Sequence, residues 1–81
     1  MKINIRKSAI KDLEKIDHRD KENIHLRIRE LEKFPNVSNV KKLTNFEPAF
    51  RFKVGNYRIL FDVSGDTIEI GRVLHRKDSY K

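Results

Sequence analysis

The stretch AFRFKVGNYRILFDV, residues 49–63, decides how this chain folds. Gly55 and Asn56 form a two-residue turn signal, and apolar residues alternate with polar ones on both sides of it. The pattern predicts a hairpin of strands 49–54 and 57–63, with Val54 facing Tyr57, Lys53 facing Arg58 and Phe52 facing Ile59. Period two then separates two faces. Phe50, Phe52, Val54, Tyr57, Ile59, Phe61 and Val63 make an apolar face, while Arg51, Lys53 and Arg58 fall on the opposite, solvent-facing one. Two cations directly across a strand pair repel by about 1 kcal/mol in water and by more in a less polar setting. A surface selected for solubility alone places Glu or Thr across from a lysine more readily. Any one of these cations reads most economically as solvated surface; the facing pair points to an external anion that relieves the repulsion.

The rest of the chain builds outward from this hairpin. After the turn SGD, TIEIGRVL (residues 67–74) reads as a third strand interrupted by Gly71. Strict alternation past Gly71 puts Arg72 in the core, so a bulge there or solvent exposure at the strand end is required, and the faces of Val73, Leu74 and His75 stay open. Upstream, KINIR (2–6) reads as a short strand with Ile3 and Ile5 buried. Ser8 offers an N-cap to a helix carrying Ala9, Ile10, Leu13 and Ile16, and Asp20 a cap to a second carrying Ile24, Ile28 and Leu31. Pro35 marks the end of the second helix, and DHRD between the two is short enough for an antiparallel helical hairpin. Residues 35–48 read as a loop with at most a short turn inside. The expected fold is α+β in two layers: a strand, a helical hairpin, then a three-stranded antiparallel meander.

Composition narrows the class. The 81 residues are expected to form a single domain, residues 1–81. Cysteine is absent and no long apolar run occurs, so disulfides, thiolate metal sites, a signal peptide and a membrane span are not expected, and a cytoplasmic address is the simplest one. The formal net charge is +7 and the pI about 9.9. Residues 48–61 hold Arg51, Lys53 and Arg58 with no acid, a patch suited to a polyanion or an acidic protein partner. No Asp/Glu cluster has metal-ligand spacing, so neither a metal nor another cofactor is expected. His18 and His25 sit among polar helical positions and read as solvated.

FRFKVGNYRILFDV followed by IEIGRVLHRKDSY resembles the RelE group of the RelE/ParE toxins, the toxic halves of bacterial toxin–antitoxin pairs. The resemblance covers essentially the whole chain. It implies an endoribonuclease that inhibits translation by cutting messenger RNA in the ribosomal A site, held inactive by a cognate antitoxin wrapped around it. The free toxin is expected to be monomeric and the antitoxin complex a hetero-oligomer. The family's catalytic cations fall on Arg51, Lys53, Arg58 and Arg76, and its C-terminal tyrosine on Tyr80. Arg51 stands where the best-known member has lysine, which removes a proton-transfer role at that position because arginine stays protonated.

Metal-independent RNA cleavage needs a base for the 2′-hydroxyl, charge stabilisation at phosphorus and a proton for the departing 5′-oxygen. Lys53 is the expected base, since Arg58 opposite and Arg51 two residues back disfavour its charged form. Arg51 and Arg58 suit bidentate clamping of phosphate oxygens. Arg76 can hold phosphate or act near the leaving oxygen, His75 is an alternative acid or base, and Tyr80 can stack on an exposed base. Two other functions share these features: a ParE-like poison of DNA gyrase without nuclease activity, and a silent basic module that only docks an acidic antitoxin segment.

Overall fold

A computed structural model describes residues 1–44 and 48–78 of the protein. Strand β1 (Lys2–Ile5) leads into helices α1 (Lys7–Glu14) and α2 (His18–Glu30). Strands β2 (Val40–Lys42), β3 (Phe50–Val54), β4 (Tyr57–Ser64) and β5 (Thr67–His75) complete one five-stranded sheet in the order β1-β5-β4-β3-β2. β1 runs parallel to β5, and the other pairings are antiparallel. Helices cover one face of the sheet, the α+β arrangement that the alternation of residues 49–74 predicts.

β3 and β4 pair in the expected register, with Lys53 opposite Arg58. Gly55 takes φ 57° at the first central position of the turn, a left-handed conformation that a Cβ would strain. On the apolar face Phe52, Val54, Ile59, Phe61, Ile68, Ile70 and Val73 pack with Ala9, Leu13, Ile24, Ile28 and Leu31 of the helical layer. Each fully buried aliphatic or aromatic side chain contributes about 1.5–3 kcal/mol. A one-residue slip would expose the whole set, which is why the register is unique.

Gly71 is the bulge. Leu60 lies opposite Arg72 while Phe61 lies opposite Ile70, so Gly71 is the additional residue on β5. The bulge puts Val73, rather than Arg72, into the core. Past Ile5 the edge of β5 is no longer paired by β1, and α1 closes it with side chains one helical turn apart. Ser8 Oγ donates to the Gly71 carbonyl at 2.5 Å, and Asp12 Oδ2 accepts from the Val73 N–H at 2.9 Å. Arg72 in turn donates to both Asp12 oxygens, at 2.8 and 3.1 Å.

Several expectations are corrected. Ser8 is not an N-cap: α1 starts at Lys7 with Arg6 before it, and the Ser8 hydroxyl is committed to β5. Asp20 lies in the first turn of α2, with Asp17 at the cap position and no side-chain cap bond. Ile10, placed on the apolar stripe of α1, is 47% exposed. α2 ends at Glu30, and a 3-10 turn, Leu31–Lys33, fills the interval before Pro35. The expected loop 35–48 contains β2, whose three residues are too few to display period two; residues 45–47 of that loop lie outside the described ones. Arg58 is not solvent-facing: it is only 6% exposed. No helix among the described residues is long and apolar enough to cross a membrane.

Candidate functional site

The face of the sheet turned away from the helices carries its cations in two rows. In the row nearest the Gly55–Asn56 turn, Lys53 faces Arg58, which faces Leu74; in the next row Lys41 faces Arg51, which faces Leu60, which faces Arg72. Lys53 sends its N–H to the Asn39 carbonyl, 3.0 Å away on the β2 side. Toward β4 it is therefore a non-hydrogen-bonded pair, the type in which side chains approach more closely, with Cα atoms about 4.5 Å apart. The repulsion inferred from sequence is thus present at the tighter of the two pair geometries.

Asn39, Val40, Lys41, Arg51, Lys53 and Arg58 line an open cleft of about 280 Å³. No acid is among these lining residues. The ion pairs of the described residues join other partners, namely Arg6 with Glu69, His18 with Glu22, Arg27 with Glu30 and Arg72 with Asp12. Arg58 is the one charged residue buried among the described ones. Its guanidinium donates to the carbonyls of Gly55 and Tyr57, each at 3.0 Å. Two neutral carbonyls satisfy geometry without neutralising the charge. A buried cation with no carboxylate partner costs several kcal/mol in desolvation, a cost that an anion such as phosphate could offset.

Of the residues expected at the site, Arg51, Lys53 and Arg58 are brought together on this cleft. Arg76 follows β5, exposed, with its N–H donating to the Asn56 carbonyl at 2.7 Å, so its backbone is tied to the turn beside Arg58. His75 is not brought to the cleft. It pairs with Tyr57 on the helix-covered side of the sheet, ring edge to ring face at 5.4 Å, and its Nδ1 accepts from the Lys77 N–H at 3.2 Å. The Gly71 bulge causes this placement: it sends Val73 inward and therefore His75, two residues on, to the same side. Tyr80 lies outside the described residues.

Lys41 is the functional candidate that sequence reasoning missed. Its signal was faint, because β2 is three residues long and reads as polar loop. Asn39, which ends the preceding turn at φ 67°, places β2 alongside β3 and so sets Lys41 directly opposite Arg51. On the other side of the sheet a second cavity of about 320 Å³ is lined by Asp12, Lys15, Ile16, Tyr57, Arg72, Val73, Leu74, His75 and Asp78. There charges of both signs balance. Burial, then the Asp20 carboxylate and its hydrogen bond, then Asp17, push the Tyr57 phenol up. That chemistry holds α1 against β5 and α2 against β4 rather than presenting an unmatched charge.

Comparison with known proteins agrees with the fold. Residues 3–80 match the family model described as ParE toxin of type II toxin-antitoxin system, parDE. The chain is 37% identical over 84 residues to Toxin RelE3 of Methanocaldococcus jannaschii, covering 99% of this chain and 96% of that one. The RelB-RelE antitoxin-toxin complex from Methanococcus jannaschii contains a chain of 35% identity and TM-score 0.78, with 94% of this chain and 93% of that one covered. The toxin-antitoxin complex RelBE2 from Mycobacterium tuberculosis contains one of 28% identity and TM-score 0.79, with 93% and 96% covered. With its sheet, its helical layer and nearly its whole length shared with these proteins, the chain belongs to the RelE/ParE superfamily and is a RelE-type toxin of a type II toxin–antitoxin system.

Proposed function

We propose that this toxin is a metal-independent endoribonuclease that cuts messenger RNA in the ribosomal A site, and that a cognate antitoxin neutralises it. The observation that carries the reading is the acid-free cleft in which Lys53 faces a buried, carboxylate-free Arg58. In the proposed step the neutral Lys53 amine takes the proton of the 2′-hydroxyl, and the 2′-oxygen attacks phosphorus. The bond to the 5′-oxygen then breaks, leaving a 2′,3′-cyclic phosphate and a 5′-hydroxyl whose proton comes from Arg76 or water. Arg58 and Arg51 hold the non-bridging oxygens as charge accumulates there. His75, on the other side of the sheet, takes no part in proton transfer.

The cleft has no carboxylate to hold a hard cation, and the fixed guanidinium charges supply the stabilisation a metal would give. A cleft this open can hold backbone phosphate without fixing the bases around it, which fits a nuclease that borrows substrate orientation from the ribosome. The RelB–RelE complexes among the similar structures support an antitoxin as partner; a negatively charged segment laid over the cleft would neutralise the same cations.

The test is primer extension on messages bound to programmed ribosomes, with wild type and with Lys53→Ala, in the presence and absence of EDTA. Cleavage by wild type in both conditions, reduced at least about 100-fold by Lys53→Ala, is expected. Intact message after wild-type treatment would sink the proposal. The description of the matching family model, ParE toxin, keeps a gyrase poison as the second reading. Accumulation of gyrase–DNA cleavage complexes with the message untouched would select it.

A further inference from the structure

We infer that the cationic face holds two consecutive phosphates of a single RNA strand, and that Lys41 is a binding residue for the second. The inference rests on reading the cleft as an RNA site. The two rows, Lys53–Arg58 and Lys41–Arg51, are two residues apart along β3, a separation of about 7 Å. That interval is comparable with the step between neighbouring phosphates of an unstacked strand. One phosphate relieves the repulsion in one row only. Lys41 facing Arg51 repeats, one row along, the like-charge pairing that marks the first, and both rows line the same acid-free cleft.

The face also limits the track. One row further from the turn, Asp62 lies directly opposite Glu69. Glu69 is partly matched by Arg6 at 3.5 Å, whereas among the described residues Asp62 accepts only the Ala49 N–H, at 2.6 Å. A third phosphate continuing along β3 would meet these carboxylates and be repelled. Toward the other end β3 stops at Val54 and the Gly55–Asn56 turn. The fixed charges therefore admit a run of two phosphates, one at each cation pair, and the scissile one occupies the row that contains Lys53.

Binding, rather than cleavage, tests this directly. A fluorescent single-stranded oligoribonucleotide with 2′-O-methyl sugars, which cannot be cut, is titrated with wild type, Lys41→Gln and Lys2→Gln over a range of salt. Lys2→Gln removes the same charge from the far edge of the sheet. Each phosphate contact contributes about 0.7 to the slope of log affinity against log salt for a single strand. Lys41→Gln is expected to flatten the slope by about 0.7, and Lys2→Gln to leave it as in wild type. A neutral methylphosphonate placed next to the phosphate bound at Lys53 is expected to weaken wild-type binding and to have no effect on Lys41→Gln. An unchanged slope for Lys41→Gln, an equal loss for Lys2→Gln, or no measurable wild-type binding would overturn the inference. The nuclease reading fails separately: intact message on ribosomes together with a Lys41-dependent slope would remove the catalysis and keep the two-phosphate track.

Discussion

Arg58 is a charge placed against the interests of stability. It is buried, holds two carbonyls and faces Lys53, with no carboxylate among the lining residues. Arg58→Met keeps an unbranched apolar stem and removes the desolvated charge. It is expected to raise stability by about 1 kcal/mol, or roughly 4–8 °C in Tm for a domain of this size, while abolishing cleavage. A melting curve and a ribosome assay on one preparation check both halves. Lys53 is probed differently, because arginine retains its charge but cannot serve as a base. Lys53→Arg is expected to keep RNA binding within a few-fold and to lose cleavage as fully as Lys53→Ala. Comparable cleavage by Lys53→Arg and wild type would demote Lys53 to a phosphate contact. The cross-strand pair was legible from the GN turn, whereas the burial of Arg58 was not, since it depends on the hydrogen bonds its guanidinium makes around that turn.

At β5 two devices decide what the last strand presents. The first is the edge closure by α1, in which Asp12 holds both the Val73 N–H and Arg72. Burial works to raise the Asp12 carboxyl, but the hydrogen bonds from Arg72 and Val73 and the charges of Arg72 and Lys15 outweigh it and hold the group below its ordinary value of 3.8. A carboxyl lowered on folding contributes stability that is complete above its unfolded value and is lost as pH falls through the lower folded one. Asp12→Asn is therefore expected to cost about 1–2 kcal/mol at neutral pH, with the gap to wild type closing below about pH 4. Denaturant melts across that range measure it. The second device is Gly71, where an added Cβ would meet nothing nearer than the Leu60 carbonyl at 3.8 Å. Gly71→Ala is expected to fall within about 0.5 kcal/mol of wild type. Deleting Gly71 makes Arg72 follow Ile70 directly, opposite Leu60 and Phe61, so Val73 and His75 keep their faces. A melting curve of the deletion variant is expected to show a folded protein, one that has lost the Ser8 bond to the Gly71 carbonyl. The bulge was among the solutions the sequence allowed; the choice between it and an exposed strand end came from the core, which accepts Val73 and rejects Arg72.

Across the molecule, the distribution of charge matters more than the total of +7. The described ion pairs lie on the helices and at the β1–β5 edge, leaving Lys41, Arg51, Lys53 and Arg58 concentrated on one side of the sheet. An anion that binds this concentration stabilises the folded state by mass action. Inorganic phosphate is expected to raise Tm above chloride at matched ionic strength, and to raise it less in an Arg51→Ala/Lys53→Ala double variant. The variant retains the general salting effect of phosphate, so equal shifts in the two proteins would mean the cleft binds no anion. On the proposed reading, an acidic antitoxin segment would exploit the same field and compete with RNA for the cleft.

The sequence by itself determined the α+β class, the β3–β4 hairpin with its register, the apolar face and the resemblance to RelE toxins. These rest on contacts close along the chain, where period two and the turn residues act directly. Only the tertiary structure decided that residues 40–42 form a strand, that Arg58 is buried, that His75 faces the helical side and that Lys41 joins the cleft. The strand, the place of Lys41 and the face of His75 depend on partners far along the chain, β3 for β2 and the packed core for Val73 and hence His75. The burial of Arg58 comes instead with the fold of its guanidinium onto the carbonyls of its own turn. A three-residue edge strand acquires its hydrogen bonds and its meaning only when the neighbouring strand is already in place.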